Sequence, residues 1–263
     1  MARDRMQRQR FELKYLIDED TALRVRDFVR CHLDMDEYSV GRPNFSYPVH
    51  SLYVDSDDLR TYWDTVNGNK NRFKLRLRFY SANPDAPVFF EIKRRMNNII
   101  MKERGGVRQE AVPLLLNGHF PQEEHLVARH NPKHLVALQR FCELMHSIRG
   151  KPKVHIAYLR EAYVSEDDTQ RVTLDRQVMA EENLTPTIRT EMESPVRSFQ
   201  KFVILELKFT NRFPNWMRDL VRAFHIMQCG AAKYVSSVEN LGSRRLQATT
   251  PVVAEAHDLC DYF

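Results

Sequence analysis

Glycine is scarce in this chain, 8 residues in 263, which argues against a glycine-rich loop that cradles phosphates with backbone amides. The four cysteines, Cys31, Cys142, Cys229 and Cys260, lie far apart and form no CxxC pair. They fit neither a zinc cluster nor a disulfide framework, so a reducing cytosol is the expected setting. No stretch approaches the ~18 consecutive apolar residues of a membrane span. Arg3, Arg5, Arg8 and Arg10 open the chain, but no apolar signal-peptide core follows them. Internal repeats and low-complexity runs are missing. His32, His50, His155 and the other histidines show no ligand spacing, and no Ser-His-Asp, Cys-His or P-loop signature is present. The formal charge of +5 hints at an anionic partner without choosing among nucleic acid, phosphate and lipid.

What the chain has in quantity is alternation. Eight runs show the period of two expected of strands with unlike faces: 8–17, 49–55, 71–80, 87–96, 98–104, 153–164, 170–179 and 201–209. Four helices are predicted from apolar spacing. They cover 19–33 after the capping candidate Asp18, 57–66 after Ser56, 132–149 before Gly150, and 215–228 between Pro214 and Gly230. Residues 180–200, with Pro186, Pro195 and four glutamates, read as a loop or short helix joining strands. One domain is expected over 1–245, with 246–263 a frayed tail.

The strand Arg72-Phe73-Lys74-Leu75-Arg76-Leu77-Arg78-Phe79 carries cations on one face and apolar groups on the other. Alone it reads first as a half-buried strand with a solvated cationic face, the usual fate of such a pattern. The pattern recurs with both signs of charge, however. Glu91, Lys93 and Arg95 share one face, with Phe89 at its start. Glu206 and Lys208 alternate with Val203, Leu205, Leu207 and Phe209, and Arg8, Arg10, Glu12 and Lys14 alternate with Phe11, Leu13, Tyr15 and Ile17. Arg171 and Asp175 alternate with Val172, Leu174 and Val178, while Tyr158 and Arg160 share a face. The helices supply matching apolar stripes. Packed outside, they would turn the charged faces inward, and closure into an antiparallel eight-stranded β-barrel of the α+β class would remove the sheet edges. So many confined cations repel one another unless they hold anions.

These segments together resemble the VTC domain, the polyphosphate polymerase domain of the vacuolar transporter chaperone complex, within the triphosphate tunnel metalloenzyme (CYTH-like) superfamily. The matching stretches are FELKYLI (11–17), SLYVDSDDLRTYWD (51–64), RFKLRLRFY (72–80), FFEIKRR (89–95), AYLREAY (157–163), RVTLDR (171–176), VILELKF (203–209) and AAKYVSSV (231–238). They occur in the family's order. The resemblance implies a closed eight-stranded tunnel. It implies that Lys74, Arg76, Arg78, Lys93, Arg160 and Arg171 act on the reacting phosphates, and that Lys14, Lys102, Tyr158, Lys208 and Lys233 bind the phosphate chain. Glu206 would hold a divalent metal, Mn²⁺ or Mg²⁺, with Glu12 and Glu91, and with Asp175 nearby. Each carboxylate has an alternative role as an ion-pair partner that orients a neighbouring Lys or Arg, and Tyr158 has one as a packing aromatic.

Two departures bear on the chemistry. Hydrolytic tunnel enzymes carry ExExK on the first strand, whereas this chain has Arg10-Phe11-Glu12-Leu13-Lys14. Losing one carboxylate weakens a water-activating two-metal site. Ala231 and Ala232 precede Lys233 where the family often has a serine. The implied function is a cytoplasmic transferase that moves the γ-phosphoryl group of ATP onto polyphosphate. The alternatives are a hydrolase of tripolyphosphate, polyphosphate or nucleoside triphosphates, and a non-catalytic polyphosphate-binding module. ATP and polyphosphate are the expected partners. No SPX domain or membrane helix is recognised, so separate proteins are expected to supply regulation or anchoring. Nucleic acid is not expected, because the aromatics mostly fall opposite the cations.

Overall fold

The computed structural model describes residues 10–97 and 99–247. All eight expected strands form: β1 (Arg10–Ile17), β3 (Tyr47–Asp55), β4 (Asn71–Phe79), β5 (Val88–Met96), β6 (Ile99–Val107), β7 (Lys151–Val164), β8 (Gln170–Glu182) and β10 (Val203–Thr210). Two further strands, β2 (Asp34–Met35) and β9 (Val196–Arg197), are too short to show a period. All ten join one antiparallel sheet, in the order β1-β10-β8-β7-β3-β4-β5-β6, with β2 beside β7 and β9 beside β8.

The expected closed barrel is not what forms. Among the described residues no hydrogen-bonded ladder joins β1 to β6, so the sheet is open. It is nevertheless rolled. β1 and β5 stand six strand spacings apart, roughly 29 Å if the sheet were flat. Lys93 Nζ on β5 still lies 3.3 Å from both carboxylate oxygens of Glu12 on β1. Alternation fixes which side chains share a face, and that part of the expectation holds. It carries no information on whether the first and last strands meet.

The convex face is apolar and helix-covered. Leu75, Leu77 and Phe79 of β4 and Phe90 and Ile92 of β5 pack on Val112 and Leu115 of α3 (Val112–Leu116) and on Leu138, Phe141, Cys142 and Met145 of α4 (Pro132–Ser147). Gly105 lets α4 approach this closely, since a Cβ there would stand 2.7 Å from the His134 carbonyl oxygen. At the other end of the sheet, α1 (Glu19–Arg30) and α5 (Asn215–Ala223) cover β1, β8 and β10 with Ala22, Val25, Val29, Met217 and Leu220. Burying each such Val, Leu, Ile, Phe or Met contributes about 1.5–3 kcal/mol. A one-residue slip of any strand would exchange that set for lysines and arginines, which is what locks the register. The Asp18 cap forms as expected, its carboxylate accepting the Thr21 N–H at 2.7 Å.

Not every helix packs outside. α2 (Arg60–Val66) and α6 (Lys233–Leu241) close one end of the concave side, where Tyr62, Tyr234 and Val238 meet Tyr53, Val154, Ile156 and Ala180. α2 starts three residues later than its spacing suggests, because Leu59 is left-handed with φ 59°, and the Ser56 hydroxyl accepts the Arg60 N–H at 2.9 Å. One face assignment also changes. An extra residue in β8 opposite Ala157–Leu159, with Gln177 at φ 50°, flips the alternation. Val178 therefore faces inward beside Tyr158, away from Val172 and Leu174. α7 (Ser243–Leu246) ends on Leu246, which is buried and whose carbonyl accepts from Lys153 Nζ at 3.2 Å. The tail expected over 246–263 lies, from residue 248, outside the described residues. No described helix is long and apolar enough to cross a membrane.

Candidate functional site

The inward faces of β1, β10, β8, β7, β4, β5 and β6 meet in one charged bed on the concave side. Register explains the pairing. Glu12 stands opposite Lys208 and Lys14 opposite Glu206, so adjacent strands form a checkerboard of sign. Lys14 Nζ lies 3.0 Å from Glu12 and 3.4 Å from Glu206. Glu206 also meets Lys208 at 2.8 Å and Lys233, the first residue of α6, at 3.1 Å. Arg160 grips Asp175 with two bonds of 2.7 Å, and Lys233 reaches the same carboxylate at 2.6 Å. Of the expected residues, Glu12, Lys14, Arg160, Lys208, Lys233 and Glu206 thus form one cluster, joined by Lys93 through Glu12.

A second cluster lies on β4, β5 and β6. Arg76 meets Glu91 at 2.7 Å and Lys102 meets it at 2.7 Å. Tyr158 links the two clusters. Its hydroxyl accepts from Arg78 Nη2 at 2.9 Å, while Arg160 and Lys233 sit over its ring at 5.2 and 4.9 Å. Arg171 stands apart, paired with Asp36 at 2.7 Å.

Two cations, buried Arg78 and half-buried Lys74, are left without an ion-paired carboxylate among the described residues. Arg78 touches only the hydroxyls of Tyr158 and Ser51, and its Nε has no hydrogen-bond partner. Lys74 has no ion pair, and its ammonium lies 5.9 Å from the Tyr234 ring. Burial, with Lys93, Lys14, Arg72 and Arg76 adding to it, pushes the Lys74 ammonium down to about 7. Lys102 is pushed down to about 8 by burial, against the pull of Glu91. Burial alone would raise the Tyr53 phenol, yet Arg76, Arg78 and Lys233 hold it below its ordinary value. For Glu12 and Glu206 the neighbouring lysines outweigh burial and keep both carboxyls ionised. The named cations outnumber the carboxylates, so the bed carries a net positive field.

The carboxylates present a limited metal site. No group of three or more His, Cys, Asp and Glu residues able to hold an ion occurs among the described residues. Glu12 and Glu206 do come together, sharing Lys14. Two hard oxygen donors fit a cation of the Mg²⁺ type, which takes one or two carboxylates and completes its shell with phosphate oxygens and water. Glu91 is held away from this pair by Arg76 and Lys102.

Alternation did not point to Tyr53, Asp36 or α6. Tyr53 accepts from Arg76 Nη1 at 3.2 Å, but β3 is buried on both faces, so its alternation does not single out an inward polar group. Asp36, in the turn after β2, has no periodic context. α6 itself was missed although Tyr234, Val238 and Leu241 are helically spaced, because its start lacks a side-chain cap.

No curated protein sequence matches the chain. The family profile of the VTC domain matches residues 9–241, which spans every strand and every element of the charged bed. The chain belongs to the VTC domain family.

Proposed function

We propose that the protein is a metal-dependent polyphosphate polymerase, a phosphotransferase that moves the γ-phosphoryl group of ATP onto a growing polyphosphate chain and releases ADP. Membership of the VTC domain family supports a polyphosphate-related function. The observation that carries the reading furthest is the pair of cations without a carboxylate partner, buried Arg78 and half-buried Lys74, inside a bed whose other cations have ion-pair partners. An unpaired buried charge is costly, and a phosphate chain supplies the missing anions.

The reaction asks little covalent chemistry of the protein. A terminal phosphate oxygen of the polymer attacks the γ-phosphorus, the bond to the ADP oxygen breaks in line, and the attacking group is already an anion, so no general base is needed. Arg76, Arg78 and Arg160 provide planar forks that hold phosphate oxygens in fixed orientation. Lys14, Lys93, Lys102, Lys208 and Lys233 supply point charges along the chain, and Arg171 extends the cationic face. A divalent metal held by Glu206 and Glu12 would act as a Lewis acid on phosphate oxygens. Arg10, in place of the first glutamate of the hydrolytic motif, favours transfer to phosphate over transfer to water. The unpaired Cys31, Cys142 and Cys229 suit a reducing cytosol.

The test is to incubate the protein with ATP and Mn²⁺ or Mg²⁺ and resolve the products by ³¹P NMR. Internal phosphoanhydride signals of polymer are expected, and Arg76→Ala and Glu206→Ala are each expected to abolish them. Orthophosphate without polymer would identify a hydrolase instead. Polymer unchanged in both variants would overturn the site.

A further inference from the structure

The concave bed is asymmetric across its width. On β7, β8 and β10 it carries Arg160, Arg171 and Lys208. On β3 to β6 it carries aromatic rings. Tyr47 and Tyr80 lie with ring centroids 6.3 Å apart, Tyr80 and Phe89 6.4 Å apart, and the Arg104 guanidinium covers Phe89 at 5.0 Å. Tyr38, in the turn after β2, extends the row from Tyr47 at 6.1 Å. Tyr47 is buried and stands opposite Arg160 on the neighbouring strand, so the row borders the cations. Tyr38 and Tyr80 are open to solvent, 63% and 41% exposed.

The exposed ring is also tied to the phosphate side. One oxygen of Asp36 accepts the Tyr38 backbone N–H at 3.1 Å, and the other accepts from Arg171 Nη2 at 2.7 Å. The same turn is pinned to β7 by the Ala162 N–H, which donates to the Ser39 hydroxyl at 3.2 Å. Exposed aromatic rings beside a cationic bed match a ligand with a flat π-system at one end and phosphates at the other. Inorganic polyphosphate alone has no use for it.

We propose that Tyr38 and Tyr80 form a stacking platform for the base of a nucleoside triphosphate whose phosphates enter the charged bed. The platform rests on the phosphate-binding reading given above. Every base has a π-face, so stacking of this kind discriminates little among bases.

The experiment is calorimetric titration with two probes, an ATP analogue with an imido bridge between the β- and γ-phosphorus atoms and inorganic tripolyphosphate. The paired variant Tyr38→Ala/Tyr80→Ala is expected to bind the analogue about tenfold more weakly, in the range of a lost base stack. Tripolyphosphate affinity is expected to stay within about twofold, because stacking contributes only to a ligand with a base. Tyr38→Phe/Tyr80→Phe, which keeps both rings, is expected to bind the analogue like the parent. Equal weakening of both probes, or no weakening of the analogue, would overturn the platform while leaving the phosphate site standing. Failure of the unmodified protein to bind either probe would overturn the phosphate reading, and the platform with it.

Discussion

Lys74 makes the charged bed titratable. Its ammonium sits at about 7 in the folded protein against 10.5 for a free lysine, with burial as the first cause and four neighbouring cations adding to it. Between those two values the unfolded chain binds a proton that the folded chain does not. Stability therefore rises with pH across that window, and the destabilisation is complete below pH 7. Lys74→Met is expected to raise the melting temperature most at pH 6 and to flatten the increase between pH 7 and 9.5, measured by calorimetric melting of the ligand-free protein. A variant with the parent's pH profile would show that Lys74 is not the strained charge. Position 74 was readable as an inward cation from its place between Phe73 and Leu75. Its missing partner was not, because an ion pair depends on which strand lies alongside, and β4 lies between β3 and β5.

At the scale of elements, the closed end of the concave side hangs on Asp55. Its carboxylate is fully buried and accepts from the Ser56, Thr61 and Tyr62 amides, the Thr61 hydroxyl and the Tyr234 hydroxyl. The first four bonds hold the start of α2, and the last ties α6 to it. Tyr234→Phe is expected to cost about 1 kcal/mol and Asp55→Ala about 3 kcal/mol in urea unfolding, since the second leaves several buried donors unpaired. In the double variant the costs should fall short of their sum by at least ~0.5 kcal/mol. Strict additivity would mean that the two helices are not joined through this hydroxyl. The strands were legible because one face of each is an apolar core and the other is charged, as in Arg72–Phe79. α6 was harder to read, since it starts at Lys233 after two alanines and without a capping side chain. The flip at Gln177 was hidden because a bulge adds one residue without changing composition.

At the scale of the molecule, the bed carries more cations than carboxylates, and a phosphate chain would relieve that repulsion. Tripolyphosphate at about 100 times its dissociation constant should stabilise the fold by about 2.7 kcal/mol. For a chain of this size that corresponds to a melting-temperature rise of roughly 5–10 °C, whereas sulfate at equal ionic strength should give much less. An equal rise with sulfate would reduce the bed to a nonspecific anion sink. The eight long strands were legible in the sequence, yet the missing ladder between β1 and β6 was not, because no alternation pattern records it. That gap has a consequence for a substrate longer than the protein. The bore of a closed barrel is set by its strand number and stagger. Here β1 and β5 are bridged by side chains, Lys93 and Glu12, and no backbone ladder sets the girth. For the polymer proposed as substrate, such a sleeve would need no threading end first; the chain would be laid in, and lifted out, along the slit.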